Sequence, residues 1–141
     1  MNRAVKIVEV GPRDGLQNEK SELSLDTKVA LIDLLSETGL QEIESGSFVS
    51  PKWVPQMAGS AEVFGRINRL PNTTYSALTP NMQGFDRALE AKVEQVAIFA
   101  AASESFSQKN INCSIAESIR RFQPLVSETK RHNIPVRAYV S

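Results

Sequence analysis

The sequence contains one cysteine, one histidine and no excess of either charge, with 16 Lys and Arg against 16 Asp and Glu. A single cysteine, Cys113, excludes an intramolecular disulfide, and a reducing cytosol is its simplest setting. Zero net charge and a pI near 6.6 give no support for nucleic acid or an anionic membrane as partner. No apolar run approaches the roughly 20 residues that a membrane helix needs. Met1 to Val10 lacks a signal peptide's apolar segment and leaves no room for a transit peptide, so a cytoplasmic location is expected. Neither the P-loop nor the dinucleotide glycine pattern occurs. There is also no low-complexity segment and no linker rich in Gly, Pro or Ser.

What is present suits a globular domain: 141 residues, 41% hydrophobic and 23% charged. Short apolar runs alternate with helical patterns. Strands are expected at Lys6–Val10, Gln41–Ser45, Thr74–Leu78, Gln95–Ala100 and Val136–Val140. Helices are expected at about Leu25–Thr38, Ala61–Arg69, Met82–Ala91 and Ile115–Arg131. Ser24 and Ser114 stand at N-cap positions, Gly39 at a helix stop, and Pro124 where it should kink the last helix. In that helix Ile115, Ile119, Phe122 and Val126 share one face.

A βαβαβαβαβ order implies a parallel sheet with right-handed crossovers. Strands of a doubly wound sheet read as continuous apolar runs. Here Glu9 lies between Val8 and Val10, Glu44 follows Ile43, and Arg137 alternates with Val136 and Ala138. In a barrel, Val136, Ala138 and Val140 would face outer helices while Arg137, Tyr139 and Ser141 point inward. Inward charges must be paired, and Glu9, Glu44 and Arg137 are the expected partners. The fold class expected is therefore α/β: a partial (β/α)8 barrel of about five parallel strands and four helices. A closed barrel of this kind has eight strands and roughly 250 residues, so residues 1–141 read as a truncated N-terminal portion.

Gly11-Pro12-Arg13-Asp14-Gly15-Leu16-Gln17-Asn18-Glu19 follows the first strand. In a parallel barrel the loops after strands open onto the catalytic face. One reading is ordinary turn chemistry with Arg13 as a solvated charge. The other is functional: Asp14 offers a hard oxygen suited to Mg²⁺ or Mn²⁺, and Arg13 a planar cation able to grip a carboxylate or enolate oxygen.

Three blocks carry a resemblance over nearly the whole chain: Val8 to Lys20, Ser47-Phe48-Val49-Ser50-Pro51-Lys52-Trp53-Val54-Pro55-Gln56-Met57, and Lys109-Asn110-Ile111-Asn112-Cys113-Ser114-Ile115. Together they resemble hydroxymethylglutaryl-CoA lyase, within the metal-dependent barrel lyases and Claisen-type synthases. Related synthases typically carry Glu after Arg-Asp-Gly, so Leu16 favours the lyase. The resemblance implies cleavage of hydroxymethylglutaryl-CoA to acetoacetate and acetyl-CoA, in leucine breakdown and ketone-body formation. It further implies a divalent metal with Asp14 as a ligand, Arg13 at the enolate oxygen, an acyl-CoA substrate and a homodimer for the full-length enzyme.

Glu44 resembles the family's acidic residue near the metal, and reads equally as a barrel-mouth partner of Arg137. Arg137 itself resembles an inward arginine of that family. Gln17 and Ser47 lie on the same face, as acyl contacts or as turn residues. Lys109 and Asn110 precede the last helix, whose N-terminus suits an anion such as a CoA phosphate, or they form a solvated loop. His132 is expected to complement a helix dipole on the surface. Trp53, with Val54 and Pro55, is expected to pack, as a wall of the mouth. The family's His-x-His pair, metal-binding Asn and catalytic Cys have no counterpart in this sequence; Cys113 is not that cysteine. The alternatives to the lyase are a related acyl-CoA lyase or synthase, and a non-catalytic half-barrel module that self-associates through its edges.

One carboxylate cannot hold a divalent cation tightly, because such sites use about six ligands. The purified 141-residue chain alone is therefore expected to bind metal weakly and not to turn over. Mg²⁺-dependent acetoacetate release by that chain would refute this.

Overall fold

The computed structural model describes residues 5–141; the reading of the chain's start rests partly on residues 1–4, outside that range. Four strands form one parallel sheet: β1 (Glu42–Ser47), β2 (Thr74–Leu78), β3 (Gln95–Ala100) and β4 (Val136–Val140), in the order β1-β2-β3-β4. Each crossover thus lands beside the strand just left. A doubly wound sheet reverses that direction at a switch point, and a barrel wall does not.

The expected first strand forms only a single bridge, Glu9 to Ile43. Its backbone exchanges bonds with β1 at Glu9 N–H to Glu42 C=O (3.0 Å) and Glu44 N–H to Glu9 C=O (2.8 Å). The chain then coils away, because the Val10 carbonyl accepts from Arg13, Asp14 and Gly15 N–H at 3.1, 2.7 and 3.3 Å. The wall is therefore four strands and one bridge instead of five strands.

The helices are α1 (Leu25–Ser36), α2 (Ser60–Arg66), α3 (Met82–Glu90), α4 (Glu104–Ile111) and α5 (Ile115–Arg131). Ser24, Asn81, Ser103 and Ser114 cap four of them, each accepting a backbone N–H from the first turn. Helix α4 was not expected: its apolar residues are only Phe106 and Ile111, too few for a periodic signal. Lys109 and Asn110 consequently lie in the last turn of α4 and not in a loop. The α5 helix continues through Pro124. Its buried stripe is Ser118, Leu125 and Thr129, whereas Ile119 is 55% exposed. Of the expected face, Phe122 packs against the core, Ile115 and Val126 are half-buried, and only Ile119 turns away.

Side chains alternate across the sheet. Ile43, Tyr75, Ala77 and Val96 face the helices and, with Val29, Ile32, Val63, Phe85 and Leu125, make the core. Register places Glu44 opposite Ser76, and Ala97 and Phe99 opposite Arg137 and Tyr139, on the other face. Outward packing holds only in part for β4. Val136 meets the core, but Ala138 is exposed and Val140 is 69% exposed, since α5 lies against β3 and no described helix crosses β4's outer surface.

A bulge in β1 pairs Glu44 with Ser76 and Gly46 with Ala77, leaving Ser45 unpaired. Gly46 therefore faces α2, where a Cβ would lie 2.8 Å from Ser60 Oγ and 3.1 Å from its Cβ. Ser60 Oγ cannot withdraw freely, since it accepts from Ser47 N–H (3.1 Å) and donates to the Met57 carbonyl (2.8 Å). Gly46→Ala is expected to destabilise the fold by about 1–3 kcal/mol, read as a lower urea midpoint at unchanged slope.

Candidate active site

The inner face of the sheet carries a continuous chain of charges. At its centre is Glu44, fully buried on β1. Its Oε1 accepts from Arg13 Nε, and its Oε2 accepts from Arg137 Nη2 and from the Tyr139 hydroxyl at 2.8 Å. Arg137 also donates through Nη1 to Glu42, which accepts from Ser76 Oγ (3.1 Å) and Gln95 Nε2 (2.6 Å) and meets Lys6 Nζ at 2.6 Å. At the other end Arg13 Nη1 reaches Asp14 Oδ1 at 3.2 Å. Lys6, Arg13 and Arg137 thus alternate with Glu42, Glu44 and Asp14, and the formal charges cancel.

Pairing of this kind is what permits ionised groups inside a wall. Burial works against the Arg13 guanidinium, yet the charge and hydrogen bond of Glu44 outweigh it and raise its pKa further above neutrality. Arg13 is permanently cationic. Burial, with a carboxylate as hydrogen-bond acceptor, also raises the Tyr139 phenol above its ordinary value of 10.0.

The sequence-predicted residues separate into two groups. Arg13, Asp14 and Gln17 line a cavity of about 350 Å³ with Val49, Val54, Leu78, Pro80, Phe99, Asn110, Ile111 and Phe122. Arg13 is only 8% exposed, so it is not a solvated turn charge. Its Nε and Nη1 are engaged by Glu44 and Asp14, the Tyr139 phenol also bears on the guanidinium, and the Asp14 side chain is 55% exposed. Gln17 Oε1 is buried without a hydrogen-bond partner. Glu44, Arg137 and Ser47 lie behind this cavity. Ser47 is buried; its hydroxyl donates to the Leu78 carbonyl (3.4 Å) and accepts from Val49 N–H (3.3 Å), so it fastens the end of β1.

Several expectations need correction. Glu9 does not join Glu44 and Arg137; its carboxylate turns back to Gly11 N–H at 2.6 Å. Trp53 is no wall of the mouth, being 82% exposed while Val54 lines the cavity. The N-terminus of α5 is no open anion site, since Ser114 accepts from Glu117 N–H and Glu104 from Ile115 N–H at 3.0 Å. Glu42 was missed, although its i, i+2 spacing with Glu44 puts both on one face of a strand. His132 caps the end of α5, half exposed, as expected.

The chain matches the HMGL-like family over residues 4–140. It is 59% identical over 139 residues to the 3-hydroxy-3-isohexenylglutaryl-CoA/hydroxy-methylglutaryl-CoA lyase of Pseudomonas aeruginosa, covering 99% of this chain and 46% of that protein. It is 59% identical over 137 residues to the mitochondrial hydroxymethylglutaryl-CoA lyase of Gallus gallus, with 97% and 46% covered. Among solved structures, a hydroxymethylglutaryl-CoA lyase from Pseudomonas aeruginosa superposes with a TM-score of 0.95 at 60% identity, over 96% of this chain and 45% of that one. An HMG-CoA lyase from A. baumannii, in complex with coenzyme A and 3-methylmalate, gives 0.90 at 36% identity, over 96% and 44%. The chain spans less than half the length of these relatives, so its sheet corresponds to part of their barrel wall.

Removing the charge of Glu44 leaves Arg13 Nε and Arg137 Nη2 without their acceptor and breaks the ion chain in a low-dielectric wall. Glu44→Leu is expected to cost about 3–5 kcal/mol in chemical denaturation. Tyr139 makes a smaller, pH-dependent contribution. Its raised pKa means the folded chain holds that proton more tightly, so the contribution is complete below pH 10 and fades as pH climbs through the folded value. The stability gap between wild type and Tyr139→Phe should therefore narrow above pH 10, measured by urea midpoints across an alkaline series.

Proposed function

This chain belongs to the HMGL-like family, and on that premise we propose that Arg13, Asp14 and Gln17 form part of the site of a carbon–carbon lyase. The reaction is cleavage of hydroxymethylglutaryl-CoA to acetoacetate and acetyl-CoA, the closing step of leucine breakdown and of ketone-body formation, in the cytoplasm. One observation supports it above the others: a buried, permanently charged arginine stands beside an exposed carboxylate at one cavity.

As the tertiary hydroxyl gives up its proton to a base and becomes the ketone of acetoacetate, the carbon–carbon bond breaks. Its electron pair passes to the departing acetyl-CoA as an enolate, with negative charge on the thioester oxygen until a proton is returned to carbon. Arg13 is fixed before that charge appears, and a preorganised donor in a dry wall is worth far more than one in water. Gln17 Oε1, buried and without a partner, is a ready acceptor for a substrate hydroxyl. Glu44 acts through Arg13; its oxygens are saturated and it does not reach the cavity. Arg137 holds Glu44 from behind, and Ser47 fastens the strand end.

A divalent metal, Mg²⁺ or Mn²⁺, fits these residues only as a shared ligand set. Asp14 offers one exposed hard-oxygen carboxylate, and among the described residues no group of three His, Cys, Asp or Glu could hold an ion. When bound, such an ion supplies Lewis-acid polarisation of substrate oxygens. A longer 3-substituent is a second reading: the Pseudomonas relative's name includes an isohexenyl substrate, and Val49, Val54, Leu78 and Phe99 give this cavity an apolar lining.

In the intact protein that carries this sequence, divalent-metal-dependent acetoacetate release from hydroxymethylglutaryl-CoA is expected. Arg13→Met should lower kcat by about 100- to 1000-fold. Arg13→Lys should not restore it, because a point charge cannot hold Glu44 and present a planar guanidinium to the cavity together. Absence of acetoacetate from the wild-type protein would remove the proposal.

A further inference from the structure

Tyr139 touches Arg13, Glu44 and Arg137 together. Its hydroxyl lies 2.8 Å from Glu44 Oε2 and 2.8 Å from Arg137 Nη2. The directions of these bonds are fixed by chemistry: a guanidinium only donates and a carboxylate only accepts, so the phenol accepts from Arg137 and gives its proton to Glu44. Its ring meanwhile lies under two cations, with the Arg13 guanidinium carbon 5.3 Å and that of Arg137 5.1 Å from the centroid. Of the side chains on the inner face, Tyr139 is the one that meets both Arg13 and Arg137 through its ring and Glu44 through its hydroxyl.

Glu44 has two oxygens to orient. Arg13 Nε takes one, and Arg137 shares the other with Tyr139. Without the phenol hydroxyl the carboxylate keeps only its two guanidinium contacts, and its plane, with that of the Arg13 guanidinium, is less tightly fixed. The position of β4 makes Tyr139 suited to this role: Tyr139 pairs with Phe99, itself a cavity-lining residue, so the phenol stands beside the site on the same face of the sheet.

We propose that Tyr139 is a positioning residue for the Arg13–Glu44 pair, its hydroxyl orienting the carboxylate and its ring face orienting the guanidinium. The proposal rests on the lyase reading for its catalytic consequence and on geometry alone for its effect on Arg13.

The test uses the intact protein, with Tyr139→Phe, Glu44→Gln and the double variant. Two quantities are read: steady-state kinetics on hydroxymethylglutaryl-CoA, and the water-exchange rate of the Arg13 Nε–H proton by NMR. Tyr139→Phe should lower kcat at least tenfold with KM changed less than threefold, and should speed Arg13 Nε–H exchange at least tenfold. In the Glu44→Gln background the same substitution should change kcat less than twofold, since the phenol works through that carboxylate. An unchanged exchange rate overturns the proposal. So does an unchanged kcat, an equal loss of kcat in both backgrounds, or a Tyr139→Phe protein that no longer unfolds cooperatively. If the wild type releases no acetoacetate, the lyase reading fails, while the exchange rate still decides whether Tyr139 positions Arg13.

Discussion

A single buried carboxylate sets the terms for the inner face of this sheet. Glu44 has no access to water, so it must be met by positive charge, and Arg13 and Arg137 approach it from opposite ends of the chain. Arg13 comes from the coil after the first segment and Arg137 from the last strand. They meet across a sheet whose strands are parallel and in sequential order, which is the barrel arrangement. Apolar residues of the same volume would often be as stable or more so, by about 1–4 kcal/mol. The ion chain is therefore better understood as a means of holding Arg13 than as a source of stability.

Much of this was legible from residue order. The alternation of charge and apolar residues at Val136–Val140 placed Arg137 and Tyr139 on one face, and the structure has them there. Strand ends at Thr74, Leu78, Gln95 and Ala100 followed from composition alone. The failures have physical causes. Glu9 was assigned to the charge cluster because alternation gives a face but not a direction of bending, and its carboxylate finds the nearer amide of Gly11. Helix α4 was invisible because its stability comes from its caps and from Phe106 packing edge-on against Phe99, not from an apolar stripe. Within the site, Arg13, Asp14 and Gln17 stood out through an unusual loop sequence, whereas Glu42 and Tyr139 looked like ordinary strand residues.

The fold also explains why an arginine this close to a cavity can stay ordered. Three consecutive amides, those of Arg13, Asp14 and Gly15, converge on the Val10 carbonyl, and the coil they form is anchored where Glu9 bridges β1. Backbone and side chain of Arg13 are thus tied to the same strand, one through Val10 and the other through Glu44. Asp14, next along, is tied only at its backbone and by one contact to Arg13, so its carboxylate stays available.

The bulge at Ser45 has a consequence for how such a wall can diverge. With regular pairing, residues 44 and 47 would sit on opposite sides of the sheet, because their separation is odd. The extra residue changes the parity of the strand midway, so Glu44 and Ser47 share the inner side and Gly46 is turned outward against α2. The lower and upper parts of β1 are thereby phased independently. Substitutions above the bulge are free to reshape the rim without altering the ionic layer beneath, and a one-residue insertion or deletion there would exchange the roles of a rim residue and a helix contact in a single step.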